Sequence, residues 1–120
     1  MLQILLAEDD PLIRSALAAC LRRRGFGVHQ ARSGPEAVER MRWQVPDLLV
    51  LDLVLPGYGG IEVLSHLRES GILTPARVLV ISAAGELLRD EAQSYGAAWL
   101  SKPFRLAQFR DRVEHLLAEA

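Results

Sequence analysis

The chain has a single cysteine, Cys20, among its 120 residues. With no second thiol an internal disulfide is excluded. Its place in an apolar helical pattern reads as a buried structural thiol. Such sparing use of cysteine fits a reducing, cytoplasmic setting. The chain also lacks net charge: 14 basic against 15 acidic residues leave −1. That removes any bulk electrostatic case for direct nucleic-acid binding or for an anionic membrane surface. The start, Met1-Leu2-Gln3-Ile4, lacks the basic segment and small-residue cleavage site of a signal peptide. No apolar run approaches the length of a membrane span. No Gly-x-Gly-x-x-Gly or Walker-type loop follows the first apolar run, which argues against a nucleotide-binding domain. Linkers, repeats and low-complexity segments are missing too, so residues 1–120 read as one domain. The end, Glu114 to Ala120, carries no visible linker and is expected of a stand-alone protein.

What is present is a set of short apolar runs. The central one is Leu48-Leu49-Val50-Leu51-Asp52-Leu53-Val54-Leu55, followed by Pro56-Gly57 and Gly59-Gly60. A run without alternation reads as a strand buried on both faces, the habit of a central parallel strand. Asp52 is then expected at or near its carboxyl end, the edge where open α/β sheets place their chemistry. Leu2–Ala7, Phe26–Ala31, Arg77–Ser82 and Ala97–Leu100 read as four further strands.

Helical spacing fills the intervals. Asp10 as N-cap with Pro11 at the first helical position starts a helix whose expected inward members are Leu12, Ile13, Ala16, Leu17, Cys20 and Leu21. Arg22-Arg23-Arg24 and Gly25 close it as a solvated helix end. Ser33 with Glu36 forms a capping box for the next, with Ala37, Val38 and Met41 inward and Trp43 expected to pack. Ile61, Val63, Leu64 and Leu67 mark a third helix. Glu86–Tyr95 is weakly patterned, with only Leu87, Leu88 and Ala92 apolar in period, and is expected to be mobile or partner-facing. Leu106, Phe109, Val113, Leu116 and Leu117 mark a last amphipathic helix. Five strand–helix units in alternation predict the α/β class: a doubly wound, five-stranded parallel sheet, (βα)5, with helices on both faces.

The polar residues fall at the strand ends. Glu8 and Asp9 follow the first strand, Asp52 ends the third, Ser82 ends the fourth and Lys102 follows the fifth. All project from one sheet edge. Three carboxylates there repel one another, and a hard cation resolves the repulsion. Mg2+ takes about six oxygen ligands at roughly 2.0–2.1 Å and keeps several waters, so two carboxylates and a backbone carbonyl suffice. With Lys102 added, the site suits a phosphoryl group, with an aspartate as nucleophile and the Ser82 hydroxyl as donor to a phosphoryl oxygen.

The whole chain resembles the receiver domain of two-component response regulators, including the chemotaxis-regulator-like ones. The matching stretches are Ile4-Leu5-Leu6-Ala7-Glu8-Asp9-Asp10, Asp47 through Gly57, Val80-Ile81-Ser82-Ala83 and Lys102-Pro103-Phe104. The resemblance implies strand order 2-1-3-4-5. It implies Asp52 as phosphoacceptor for a phosphohistidine, and Glu8, Asp9, Asp52 and the Val54 carbonyl as the site of Mg2+, or of Mn2+ in its place. It implies Ser82 as switch hydroxyl, Lys102 as phosphate-binding lysine and a cis bond before Pro103. Partners implied are a sensor histidine kinase or phosphotransfer protein, a downstream effector or output domain, and a homodimer. Trp99 stands where the family has a Tyr, Phe or His that swings inward on phosphorylation, and the bulkier indole is expected to strain that inward state. The segment before it is shorter than usual, with Ala98 where acids are common. Both weaken the expectation of a dimer through helix four, strand five and helix five. Val54 and Ala84 are apolar where family members tune dephosphorylation, so strong self-hydrolysis is not expected.

The expected function is a phosphorylation-dependent signalling switch acting through the helix 4–strand 5–helix 5 face. Such a chain catalyses its own phosphorylation and dephosphorylation but is not a turnover enzyme. Two rival readings differ in class. A pseudo-receiver would bind partners without using Asp52. A phosphohydrolase would want a second acid two positions after the nucleophile, where this chain has Val54.

Overall fold

The computed structural model describes residues 1–73, 77–83 and 85–118. Ala84, Glu119 and Ala120, which figure in the expectations above, lie outside the described residues. Ten elements alternate along the chain: β1 (Gln3–Ala7), α1 (Pro11–Arg23), β2 (Gly27–Ala31), α2 (Gly34–Trp43), β3 (Leu48–Asp52), α3 (Gly60–Glu69), β4 (Arg77–Ser82), α4 (Glu86–Gln93), β5 (Ala98–Ser101) and α5 (Leu106–Ala118). The strands form one sheet in the order β2-β1-β3-β4-β5, every pair parallel. The expected (βα)5 architecture and strand order are both present.

Local chemistry explains the helix starts. Asp10 Oδ1 accepts from the amides of Leu12 and Ile13 at 2.9 and 3.2 Å, a cap worth about 1 kcal/mol. Ser33 Oγ accepts from the Glu36 amide at 3.2 Å. The Glu36 carboxylate lies 3.7 Å from Arg40 Nε, one turn on. Gly25, at φ +90°, turns the chain out of α1 in a conformation other residues adopt only with strain.

The core is two layers divided by the sheet. Leu5, Ala7, Leu49, Leu51, Val78, Val80 and Trp99 face α2, α3 and α4. Their strand neighbours Ile4, Leu6, Leu48, Val50, Leu79 and Ile81 face α1 and α5. The alternation follows from the two-residue period of a strand. Because both faces are covered, β3 is buried at all five positions, Asp52 included.

Three expectations are corrected. In α1 the buried residues are Leu17, Ala18 and Leu21, while Leu12 is 82% exposed and Ala16 is also outward. The inward stripe thus begins a turn later than apolar spacing suggests. Cys20 is half-buried rather than buried, lying beside that stripe instead of on it. Trp43 does not pack: at the end of α2 it is 83% exposed, its indole N–H donating to Glu39 Oε1 at 3.0 Å. Trp99, by contrast, is buried inward. In α4, Ala92 is buried while Leu87 and Leu88 are exposed.

Candidate functional site

Strand periodicity assembles the site. Ile4 and Leu6 lead to Glu8, Leu48 and Val50 to Asp52, and Ala98 and Leu100 to Lys102, each two residues apart. Continuing one alternation in three strands therefore brings Glu8, Asp52 and Lys102 together on the α1–α5 side of the carboxyl edge. Lys102 Nζ donates to Glu8 Oε1 and to Asp52 Oδ2, each at 2.7 Å. Asp52 Oδ1 accepts from the Val54 amide at 3.0 Å, while the Val54 side chain is exposed. Both carboxylates are buried, and Asp9 beside them is exposed.

One oxygen from each of Glu8, Asp9 and Asp52 lies within 4.8 Å of the others. Glu8 Oε2 is buried with no hydrogen-bond partner among the described residues. An all-oxygen donor set with an orphaned buried acceptor fits a hard divalent cation. Burial is the main cause that pushes the Glu8 carboxyl up from 4.5 to about 7; Lys102 pulls it down and Asp52 pushes it further up. Burial also works against the Lys102 charge, but its bonds to Asp52 and Glu8 outweigh that and raise it above the ordinary lysine value.

Ser82 closes β4, fully buried. Its parity is that of Val78 and Val80, on the α2–α4 side, and Asp52 is in register with Ile81 just before it. Leu51, Val80 and Trp99 form one transverse row on that same side, immediately below Asp52. The Trp99 indole N–H donates to Ser101 Oγ at 2.8 Å. The Lys102–Pro103 bond is cis, as expected.

Two supports went unread in the sequence. Gly60 packs so closely on β3 that a Cβ there would meet the Asp52 carbonyl oxygen and Leu53 Cα at 2.8 Å. The Gly59-Gly60 pair is its signal in the sequence. Arg14 reaches back from α1 to the turn after β1: Nη1 donates to the carbonyl oxygens of Glu8 at 2.9 Å and Asp9 at 3.3 Å. Nothing in its spacing distinguished it from an exposed helical arginine. A groove of about 430 Å3 beside Lys102 is lined by Ile13, Ala16, Pro103 and Phe104 among others. A cavity of about 480 Å3 between α2 and the β1–β2 edge, bordered by Gln3, His29 and Trp43, includes none of the site residues.

The model of the response regulator receiver domain matches residues 4–114. The chain belongs to this family. The transcriptional regulatory protein TrcR of Mycobacterium tuberculosis is 33% identical over 118 residues, covering 97% of this chain and 45% of TrcR. Sporulation initiation phosphotransferase F of Bacillus subtilis is 33% identical over 117 residues, covering 96% of this chain and 93% of that protein. The solved receiver domain of Francisella response regulator 1452 superposes with a TM-score of 0.89 at 27% identity, covering 99% of this chain and 98% of that one. The chain spans about half the length, or less, of relatives such as TrcR. Among the described residues no helix is long and apolar enough to cross a membrane.

Proposed function

We propose that this receiver domain accepts a phosphoryl group on Asp52 from the phosphohistidine of a sensor histidine kinase or phosphotransfer protein. The observation that carries the reading is a buried aspartate at a strand end with Lys102 Nζ at 2.7 Å and two further acids within 4.8 Å. An Asp52 carboxylate oxygen attacks phosphorus, the P–N bond breaks, and the imidazole leaves with the bonding pair and takes up a proton. The product is an aspartyl-phosphate. Lys102 supplies charge to the transferring oxygens, and the Val54 amide fixes the carboxylate's orientation. Mg2+, or Mn2+, held by Glu8, Asp9, Asp52 and the Val54 carbonyl, would neutralise charge developing on the phosphoryl oxygens. The groove between α1 and the Pro103-Phe104 turn opens beside Lys102 and gives a donor an approach to the site.

Ser82 and Trp99 carry the response. Drawing Ser82 toward the new oxygens shifts the chain after β4, the layer around Trp99 repacks, and the α4–β5–α5 face changes its affinity for a protein effector or a second copy. Each chain is modified stoichiometrically, so it accelerates its own phosphorylation without being a turnover enzyme. The setting is cytoplasmic, without direct nucleic-acid contact.

The test is Mg2+-dependent incorporation of phosphate from a small acyl phosphate. One phosphate per chain is expected, with no incorporation after Asp52→Asn or in excess chelator. Absence of labelling in the unaltered chain, or labelling that survives Asp52→Asn, overturns the reading.

A further inference from the structure

We infer that Arg14 is a positioning residue for the acidic turn, acting on the metal ligands through their backbone. The inference rests on the reading of Glu8 and Asp9 as cation ligands.

Glu8 and Asp9 lie beyond the last residue of β1, where the ladder no longer holds the chain on both sides. The Glu8 amide still reaches the Ala31 carbonyl at 3.1 Å. Beyond it the turn depends on two devices. Asp10 caps α1 through its side chain. Arg14, one turn into α1, donates from Nη1 to both the Glu8 and the Asp9 carbonyl oxygens. Its Nε donates to Gln30 Oε1 at 3.1 Å, so the guanidinium is itself fixed from β2. A planar fork can hold this three-way arrangement, whereas an ammonium on a flexible stem lacks the geometry. The two carbonyls belong to the residues whose carboxylates are the candidate ligands. Holding them fixes where both side chains start, as outer partners orient metal ligands elsewhere.

Charge gives the inference a distinctive sign. Arg14 carries a positive charge next to a cation site. By simple repulsion, removing it would tighten cation binding. If its work is positioning, removing it weakens binding instead.

The test is calorimetric titration of the metal-free chain with Mn2+, at fixed pH and ionic strength, alongside urea unfolding. Arg14→Met keeps the stem and removes the donors. It is expected to raise the Mn2+ dissociation constant about tenfold. Arg14→Lys is expected to recover only part of the loss, although it restores the whole charge. Gln30→Leu, which frees the guanidinium without touching the turn, is expected to weaken binding in the same direction by less. An unchanged Mn2+ affinity in folded Arg14→Met, with only lowered stability, overturns the inference and leaves a merely structural arginine. Tighter binding overturns it in favour of charge repulsion. Failure of the unaltered chain to bind Mn2+ overturns the cation reading of the site and this inference with it. Should Arg14→Met not fold, the Gln30→Leu affinity decides alone.

Discussion

Replacing Glu8 by glutamine isolates the electrostatic cost built into the acidic cluster. Glu8 is buried beside Asp52, and its carboxyl is raised from 4.5 to about 7. The folded chain therefore holds a proton there more tightly than the unfolded chain does. The stability this proton contributes is fully present below about pH 4.5 and is lost as pH rises through about 7. The rise corresponds to about 3 kcal/mol between those limits. Glu8→Gln mimics the protonated carboxyl at every pH and should be free of the loss. The assay is urea unfolding in chelator from pH 4.5 to 8.5, compared as the difference between variant and parent so that other titrating groups cancel. The variant should gain on the parent with rising pH, by up to about 3 kcal/mol at pH 8. With a urea slope of about 2 kcal/mol/M that is a midpoint shift on the order of 1–2 M. Saturating Mg2+ should close much of the gap by stabilising the parent, since a bound cation favours the ionised carboxylate. A pH-independent difference, or one favouring the parent at pH 8, would refute the reasoning.

Four further outcomes follow from the structure. Lys102→Met removes the only cation hydrogen-bonded to both buried acids among the described residues; it should lower stability by about 2 kcal/mol at pH 8 and by less at pH 5, where the acids can take up protons. Gly60→Ala drives a Cβ against the Asp52 carbonyl and Leu53, and should cost about 1–3 kcal/mol in denaturant unfolding. The two tryptophans should separate under acrylamide quenching: Trp43 accessible, Trp99 shielded, so that Trp43→Phe leaves an emission that resists the quencher. In that background Ser101→Ala removes the acceptor of the indole N–H; the expected cost is about 1 kcal/mol, read from the unfolding midpoint.

The fold was legible because its strands are apolar on both faces and its helices carry visible starts. Asp10-Pro11 and Ser33 named two helix N-termini correctly, and both caps are made. Site positions were legible for a related reason. Acids and a lysine at three strand ends need only a parallel sheet to converge, while Ser82 ends β4 at the same edge with the parity of the other face. What failed was depth within a helix. Apolar spacing in α1 could not show that Leu12 and Ile13 are exposed, and Trp43 is hydrophobic yet ends α2 facing outward. The reach of Arg14 to the acidic turn was invisible because its acceptors there are main-chain carbonyls, which leave no trace in side-chain pattern. The Trp99 indole lies inward, in one cluster with the small residue Ala97 and with a hydroxyl two positions on to receive its N–H.

The sheet that divides the core acts as a bulkhead. Trp99 shares its compartment with α2, α3 and α4, whereas α1 and α5, which border the groove beside Lys102, pack in the other. The two compartments meet through a wall of backbone hydrogen bonds rather than through touching side chains. A change of packing around Trp99 can thus proceed while the groove beside Lys102 keeps its shape. Substitutions placed one per compartment should add without cross-terms, and departures from additivity should be confined to the carboxyl edge, where Asp52 and Lys102 stand on one side of the wall and Ser82 on the other.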